Sequence, residues 1–339
     1  MAVVTRYVRT DSAAGGDGTV DTDTGANRAY STLSEWNTQE AANLTTGGDT
    51  HIVNCSVGTG SAADTTGNVV LSGWTTDSGD FITINGENNG LGAYDTTAYR
   101  LEYTATGGYQ RCIQISENYT VVNDMQVQMS NDSNGSTRGL YHTGSFSDFN
   151  RCIAKGVMTG TPNAYTRGIQ IDNADNGVMF ACLAFDFITG SAIGLFANSS
   201  TTDGTMYNCT AHNCALGFQG SYADTVGRNL LAQDCTNGFS PTGHWLSGSS
   251  HNCSDIASDA PGTSTQTGDV SFVDIGNDDF QPASGDTVAK GNGVDLSGTF
   301  TFDLGNNTWP ATWDIGCLVS AAAAGGASKL VVLNRHRGI

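Results

Sequence analysis

Short apolar runs alternate with polar turns along most of this chain. The stretch 167–187, RGIQIDNADNGVMFACLAFDF, holds two such runs separated by a polar turn, and the second run is apolar on both of its alternating faces. Runs of this length bounded by Gly, Asn, Asp and Ser are typical of β-strands. The pattern predicts an all-β chain with many short strands.

The runs form an internal repeat. Five segments (111–129, 138–157, 167–187, 193–214 and 216–235) share one layout: a small residue followed by an apolar one, a polar turn, and a second strand. The small residue recurs roughly every 20–30 residues, at Cys112, Gly139, Gly168, Gly194, Gly217 and Gly238. The unit is too short for a propeller blade and lacks a leucine-rich frame. It predicts a right-handed parallel β-helix with rungs about 4.8 Å apart.

The second strand of each unit indicates which side chains face inward, because successive strand side chains point to opposite sides. One parity holds a column of small residues suited to a narrow interior: Cys152, Cys182, Cys209, then Ala154, Ala184, Ala211 and Ala232. The other parity carries an apolar stripe: Ile153, Leu183, Phe185 and Leu231. We predict that this stripe faces outward as the subunit interface of a homo-oligomer, a trimer. Cover by a loop of the same chain is the alternative.

The ends of the chain differ from the repeats. Segment 31–44 predicts a short capping helix with Ser31 or Ser34 as N-cap and with Leu33 and Trp36 on one face. We divide the chain into an N-terminal strand, loop and capping helix (1–50), parallel β-helix coils (51–270), an irregular C-terminal cap (271–319), and a linker with a basic docking tail (320–339).

The tail combines a β-like run with positive charge. Its residues are Leu330, Val331, Val332, Leu333, Arg335 and Arg337. On an acidic protein this composition predicts a peptide that docks on a neighbour by adding a strand. A disordered tail is the alternative.

Charge and composition exclude several classes of function. The chain has 33 acidic and 14 basic residues, a formal net charge of −19. Binding of nucleic acid needs a basic face, so we expect no nucleic-acid partner. No apolar run reaches the roughly 18 residues of a membrane span, and no leader is visible, so we expect synthesis in the cytoplasm without a signal peptide. The nine cysteines are expected to be buried thiols.

Candidate chemistry is sparse. Asp172, Asp175, Asp186 and Asp234 are weak catalytic candidates, since carboxylates one or two rungs apart can reach the roughly 6.5–9.5 Å of an inverting glycosidase. Turn aspartates reach the same spacing by accident, so we lean towards a protein that is not an enzyme.

Metal binding has equally weak support. Asp17, Asp21 and Asp23 are weak Ca²⁺ candidates in a loop without an EF-hand frame. The pairs His212–Cys214 and His251–Cys253 lack a zinc knuckle. No metal or cofactor is predicted.

The terminal segments carry a resemblance to a known family. Asp-Phe at 279–280, the Asp-Leu-Gly-Asn step at 303–306 and Trp-Asp-Ile-Gly at 313–316 resemble the closing portion of pectate-lyase-like, right-handed β-helix repeat proteins, with Cys317 where those proteins have alanine. The N-terminal YV, GGDGT and AYSTLSEW pieces resemble their entry. The polygalacturonase motif set (Asn-Thr-Asp, Asp-Asp, Gly-His-Gly, Arg-Ile-Lys) is absent as a set.

An acidic β-helical chain with an outward apolar stripe and a basic tail also resembles bacteriophage spikes, fibres and capsid-decoration proteins. That resemblance implies a non-enzymatic structural or adhesive virion component that serves host attachment. Its implied partners are further copies, other virion proteins and host-surface polysaccharide. A tailspike depolymerase, a glycoside hydrolase or lyase acting on host glycans, is the alternative, and a bacterial surface or secreted β-helix protein is a third interpretation.

Overall fold

The computed structural model describes residues 2–87, 92–131, 135–159, 165–172, 176–198, 204–221, 225–241 and 244–322. The chain is a parallel β-helix: three long parallel sheets line one coil, as the repeat predicts. The first sheet contains, in spatial order, β1 (Ala2–Arg9), β2 (Asp49–Ser56), β4 (Ile82–Asn85), β7 (Thr120–Asn123), β10 (Asp148–Asn150), β13 (Val178–Phe180), β16 (Gly204–Tyr207) and β19 (Thr225–Arg228).

The two other long sheets repeat along the same axis. The second sheet contains β5 (Arg100–Ala105), β8 (Gln126–Asn131), β11 (Ile153–Met158), β14 (Leu183–Phe185), β17 (Thr210–His212), β20 (Leu231–Gln233), β22 (Cys253–Ser254) and β23 (Gln266–Thr267). The third contains β3 (Val69–Leu71), β6 (Tyr109–Ile115), β9 (Ser136–His142), β12 (Arg167–Asp172), β15 (Ile193–Asn198), β18 (Leu216–Gly220) and β21 (Asn237–Ser240). A short antiparallel pair follows, β24 (Phe272–Asp274) and β25 (Asp279–Pro282).

The inward columns have the predicted register. Ala154, Ala184, Ala211 and Ala232 are successive partners across four rungs, and all are fully buried together with the cysteine column. All nine cysteines are buried free thiols. Burial raises the pKa of the Cys152 and Cys182 thiols well above the ordinary value, so they act as small apolar side chains.

The distance between rungs explains why glycine marks every unit after the first, whose marker is Cys112. A Cβ atom at Gly139 would lie 2.5 Å from the carbonyl oxygen of Gly168 in the next rung. Only a residue without a side chain tolerates this approach. The corner between the first and second sheets has a different requirement, a left-handed backbone, and Asn208 (φ 47°) and Asn229 (φ 57°) supply it there.

The N-terminal cap contains the predicted helix. Helix α1 (Leu33–Glu40) buries Leu33 and Trp36, and the one-turn α2 (Leu44–Gly47) follows. The N-cap is Thr32, which corrects the prediction of Ser31 or Ser34: the Thr32 hydroxyl accepts from the Glu35 backbone N–H at 3.0 Å. Thr32 and Glu35 have the spacing of a capping box, and the Glu35 carboxylate accepts from the Ser31 backbone N–H at 2.8 Å.

Residues 270–319, here called the C-terminal cover, lie along the outside of the first and second sheets. Asn208 and Asn229 at the corner between these sheets hold it in place. The Asn208 Nδ2 donates to the carbonyl oxygens of Asp314 and Gly316 at 3.1 and 2.9 Å, and the Asn229 Nδ2 donates to Val294 O at 2.8 Å. The cover is therefore bonded to the coil at successive rungs.

The apolar stripe faces outward, as predicted, but the cover buries it. Leu183 and Phe185 are 0% exposed, and the Phe280 ring lies 5.0 Å from that of Phe185. The stripe and its contacts form two clusters: Ile153, Leu183 and Phe185 with Tyr94, Phe280, Leu304, Cys317 and Leu318, and Leu231 with Cys253, Val270, Ala289 and Ile315. This corrects the expectation of a subunit interface at the stripe, because the chain itself already covers these side chains.

In the described part of the chain, no helix has both the length and the apolar character needed to cross a membrane.

Candidate functional site

The outer side of the third sheet carries arginines and aromatic rings in columns. We call this surface the Arg–Tyr face and define it by Arg111, Arg138, Arg167, Tyr109, Tyr141, Tyr165 and Phe196. The three arginines are direct partners on β6, β9 and β12, so they stack at successive rungs, about 4.8 Å apart. Gln114, Tyr141, Gln170 and Phe196 form the next column in the same way.

The sequence holds a signal for this face that the spacing of the markers alone does not reveal. Each arginine immediately precedes the small marker residue of its unit, as Arg111–Cys112, Arg138–Gly139 and Arg167–Gly168. The marker defines the period, whereas the face appears only when the residue before the marker is compared from unit to unit.

Arg138 has both hydrogen-bond acceptors and aromatic rings as neighbours. Its Nε donates to Gln170 Oε1 at 2.7 Å and its Nη2 donates to the Tyr109 hydroxyl at 2.8 Å. The guanidinium carbon lies 4.2 Å from the ring centre of Tyr141 and 4.7 Å from that of Tyr109. Such cation–π contacts hold the planar group between two rings.

Arg167, one rung further, has aromatic neighbours, but two of its donor atoms have no acceptor among the residues that the structure describes. Its guanidinium carbon lies 4.4 Å from the ring centre of Phe196 and 5.5 Å from that of Tyr165. The residue is 7% exposed, and its Nε and Nη1 atoms are buried without a hydrogen-bond partner. A buried donor left without an acceptor costs about 1–3 kcal/mol, and more when the group is charged.

The pKa of the Arg167 guanidinium is consistent with its burial. Burial, and then the positive charge of Arg138, lower the pKa of the Arg167 guanidinium to about 10, while the Asp172 carboxylate acts in the opposite sense. The group is still cationic at neutral pH.

A surface groove of about 330 Å³ begins at Arg167. It follows one register column, Arg167, Ile193, Leu216 and Asn237, across four rungs. Its remaining lining residues are Gly190, Ser191, Ala215 and Gln219. The groove therefore combines one cation, three aliphatic side chains and several neutral polar groups.

Asp172 lies on the same sheet, at the end of β12. Its carboxylate accepts a hydrogen bond from the Tyr141 hydroxyl at 2.9 Å and another from the Asn198 side-chain amide. Burial, and then the nearby Asp172, raise the pKa of the Tyr141 phenol to about 12, so the phenol stays protonated and donates.

The other described catalytic candidates lie elsewhere. Asp186 follows β14 and Asp234 follows β20, where the second sheet turns towards the third. Asp186 accepts from the Asn213 Nδ2 at 2.7 Å, and Asp234 lies 3.0 Å from the His212 Nε2. The structure thus separates both from Asp172, and Asp175 lies outside the described residues.

The weak Ca²⁺ candidates do not converge. The Asp17 carboxylate accepts from the Thr19 hydroxyl at 2.7 Å, whereas Asp21 lies 3.4 Å from the Arg9 Nη1. Across the residues that the structure describes, no group of three His, Cys, Asp or Glu side chains is arranged to hold a metal ion.

The predicted docking tail, Leu330 to Leu333 with Arg335 and Arg337, falls within 323–339 and lies outside the described residues.

Comparison with known proteins adds no family. No protein-family model matches the chain, and no curated protein matches it significantly. The chain is therefore classed by its fold, a parallel β-helix, and by the Arg–Tyr face on the third sheet.

Proposed function

We propose that this protein is a non-enzymatic, adhesive component of a bacteriophage virion that holds an extended anionic glycan of the host surface on the Arg–Tyr face. The observation that carries the proposal is the stacking of Arg111, Arg138 and Arg167 at successive rungs of a protein whose net charge is −19. Few basic residues are present, and three of them share one column.

The aromatic rings favour a sugar polymer as the ligand. Tyr109 and Tyr165 are 55% and 51% exposed, so each leaves much of its apolar ring and its polar tip open to solvent. Such rings suit ligands that present both C–H groups and hydroxyls. A polymer lying along the coil axis would contact the exposed Tyr109 and Tyr165 rings and the partly exposed Arg111. Arg138 and Arg167, at 6% and 7% exposed, would act on it mainly through their positive charge.

A role without catalysis is favoured by the state of the carboxylates. Asp172, the catalytic candidate on the face, already accepts hydrogen bonds from Tyr141 and Asn198. A glycosidase needs a second carboxyl group within about 10 Å of the first across the scissile bond. The two other catalytic candidates that the structure describes, Asp186 and Asp234, belong to a different corner of the coil.

The virion assignment rests on the sequence resemblance, together with the solenoid fold. A homo-oligomer and other virion proteins remain the proposed partners. Antibody labelling of native phage particles, viewed by electron microscopy, tests the location, and a label confined to host cells would contradict it.

Binding is tested with purified full-length protein on an array of bacterial surface oligosaccharides. We expect retention of acidic glycans and a loss of about 3- to 10-fold in affinity for Tyr109→Ala and Tyr165→Ala, since an aromatic contact contributes about 0.5–1.5 kcal/mol. Phe302→Ala, which removes a ring 42% exposed in the C-terminal cover, is the matched control.

Two results would overturn this proposal. Binding that is equal in all three variants would remove the Arg–Tyr face from the function. Release of new reducing ends or unsaturated sugars, abolished by Asp172→Asn, would instead establish the depolymerase alternative.

A further inference from the structure

We propose that the groove beginning at Arg167 is a subsite for one anionic group of a saccharide, whether carboxylate, sulfate or phosphate. The inference rests on the proposed function, because it names the part of the polymer that this section of the Arg–Tyr face would hold.

The comparison between Arg138 and Arg167 carries the argument. Both lie in one column between aromatic rings, yet Arg138 donates to Gln170 and Tyr109, whereas the Nε and Nη1 of Arg167 have no acceptor. Asp172 is bonded by Tyr141 and Asn198 instead. Arg167 lines the groove, and a guanidinium whose donors lack acceptors suits an oxyanion, which would reach the two buried atoms by displacing their neighbours.

The rest of the groove fits a sugar ring attached to that anion. Ile193 and Leu216 supply an apolar floor for C–H groups, and Ser191, Gln219 and Asn237 supply donors and acceptors for hydroxyls. Pockets that combine apolar contact with placed polar groups are typical of small-molecule recognition, and the polar share of this groove suits a hydroxylated ligand.

The part of the column within the groove, beyond the three stacked arginines, does not suit a polynucleotide. Nucleic acid presents a phosphate at every unit and is held by repeated cations. Beyond Arg167 the column continues with Ile193, Leu216 and Asn237, none of which is basic. One anionic group per subsite is what this arrangement accommodates.

The test compares Arg167→Gln with Arg228→Gln. Both remove one positive charge, but Arg228 lies on β19 of the first sheet and donates to Gly248 O. The probes are uronate, sialate, sulfated and phosphorylated oligosaccharides, with carboxyl-reduced forms of the first two. We expect wild-type protein to prefer the anionic forms and Arg167→Gln to lose about 10- to 100-fold in affinity. Arg228→Gln should stay within about 2-fold, and the four anionic series identify the group that is bound.

Thermal unfolding of the free protein separates recognition from a structural role. If Arg167 serves to bind a ligand, the Arg167→Gln variant should have an unchanged or higher melting temperature, since a buried charge without an acceptor has been removed. A lowered melting temperature with unchanged glycan binding would overturn the inference, and so would equal affinity of wild-type protein for the anionic and reduced forms.

The inference and the proposed function fail differently. If glycan affinity is the same in Arg167→Gln as in wild-type protein, the proposed function stands and the subsite is ruled out. Absence of glycan binding in wild-type protein contradicts both. Binding of single-stranded polynucleotide that depends on Arg167 would overturn the saccharide assignment.

Discussion

The outer faces of the second and third sheets belong to the same coil and carry different side chains. The outward residues of the second sheet include an apolar stripe, and the C-terminal cover packs over Leu183 and Phe185 so that both are fully buried. On the third sheet the outward residues are arginines and aromatic rings, with a groove beside Arg167. Strand parity identifies which residues face outward, whereas side-chain chemistry decides which of them the chain covers.

Energetics explain the difference. Burying a leucine or phenylalanine side chain contributes about 1.5–3 kcal/mol, so a covering segment is stabilised by an apolar stripe. The guanidinium groups of Arg138 and Arg167 are also largely removed from water, at 6% and 7% exposed, but a charged group without a carboxylate partner gains no such stabilisation from burial.

The largest expected effect comes from breaking the covered face with Leu183→Asp and Phe185→Asp together. Two carboxylates placed under the C-terminal cover should lower the free energy of unfolding by about 4 kcal/mol or more, because packing is lost and charges are buried without partners. Urea unfolding measures the loss, and limited proteolysis should cut first within the cover.

Val157→Asp is the control for that experiment, since Val157 lies on β11 and is 36% exposed. It should change stability by less than about 0.5 kcal/mol. If the double variant instead converts an oligomer into equally stable monomers, the stripe is a subunit interface and our description of the cover is wrong.

A pH experiment compares a buried histidine of the third sheet, at the end of β9, with one under the cover. His142 is fully buried, and burial lowers its pKa to about 3. From about pH 6.5 down to about pH 3, the unfolded chain binds a proton at His142 and the folded protein does not, so stability falls as pH falls. Relative to His142→Leu, wild-type protein should lose up to about 1.4 kcal/mol per pH unit in this window.

His212 should show a weaker dependence in the same direction. Burial lowers its pKa, but Asp234, 3.0 Å from its Nε2, acts in the opposite sense. The difference in unfolding free energy between wild-type protein and His212→Gln should therefore fall less steeply below about pH 6.5. A steeper fall for His212 than for His142 would contradict this assignment of causes.

The smallest expected effect is on the third sheet. Tyr141→Phe removes the hydrogen bond to Asp172 and should lower the free energy of unfolding by about 0.5–1.5 kcal/mol. Tyr165→Phe, whose ring is half exposed, should have no measurable effect. Equal losses in the two variants would show that the Asp172 contact does not stabilise the face.

Much of the fold could be predicted from local sequence, because each rung repeats the same constraints. The glycine marker, the alanine column and the buried thiols follow from the spacing of successive rungs. The position of the C-terminal cover could not be predicted in the same way: Phe280 and Leu318 are far in sequence from the stripe they bury, and no repeat relates them to it.

The candidate site could not be predicted from the sequence either, because it depends on how the units align in the folded coil. Carboxylates and metal ligands are recognisable from residue type alone, whereas the Arg–Tyr face becomes visible only once units are aligned at the position before the marker. Arg138 has acceptors for its donors, whereas two donors of Arg167 do not. This difference depends on which side chains surround each arginine in the folded protein, and it cannot be predicted from the sequence pattern.

The path of the C-terminal cover has a kinetic consequence. The cover begins after β23, at one end of the second sheet, and its Leu318 packs with Tyr94, just before β5 at the opposite end. An ordinary solenoid opens from a terminus, one repeat at a time, because each repeat contacts only its neighbours. Here the last coil cannot unfold without also breaking the contacts between the cover and the coils near β5. We therefore expect the coil to unfold in one slow, cooperative event.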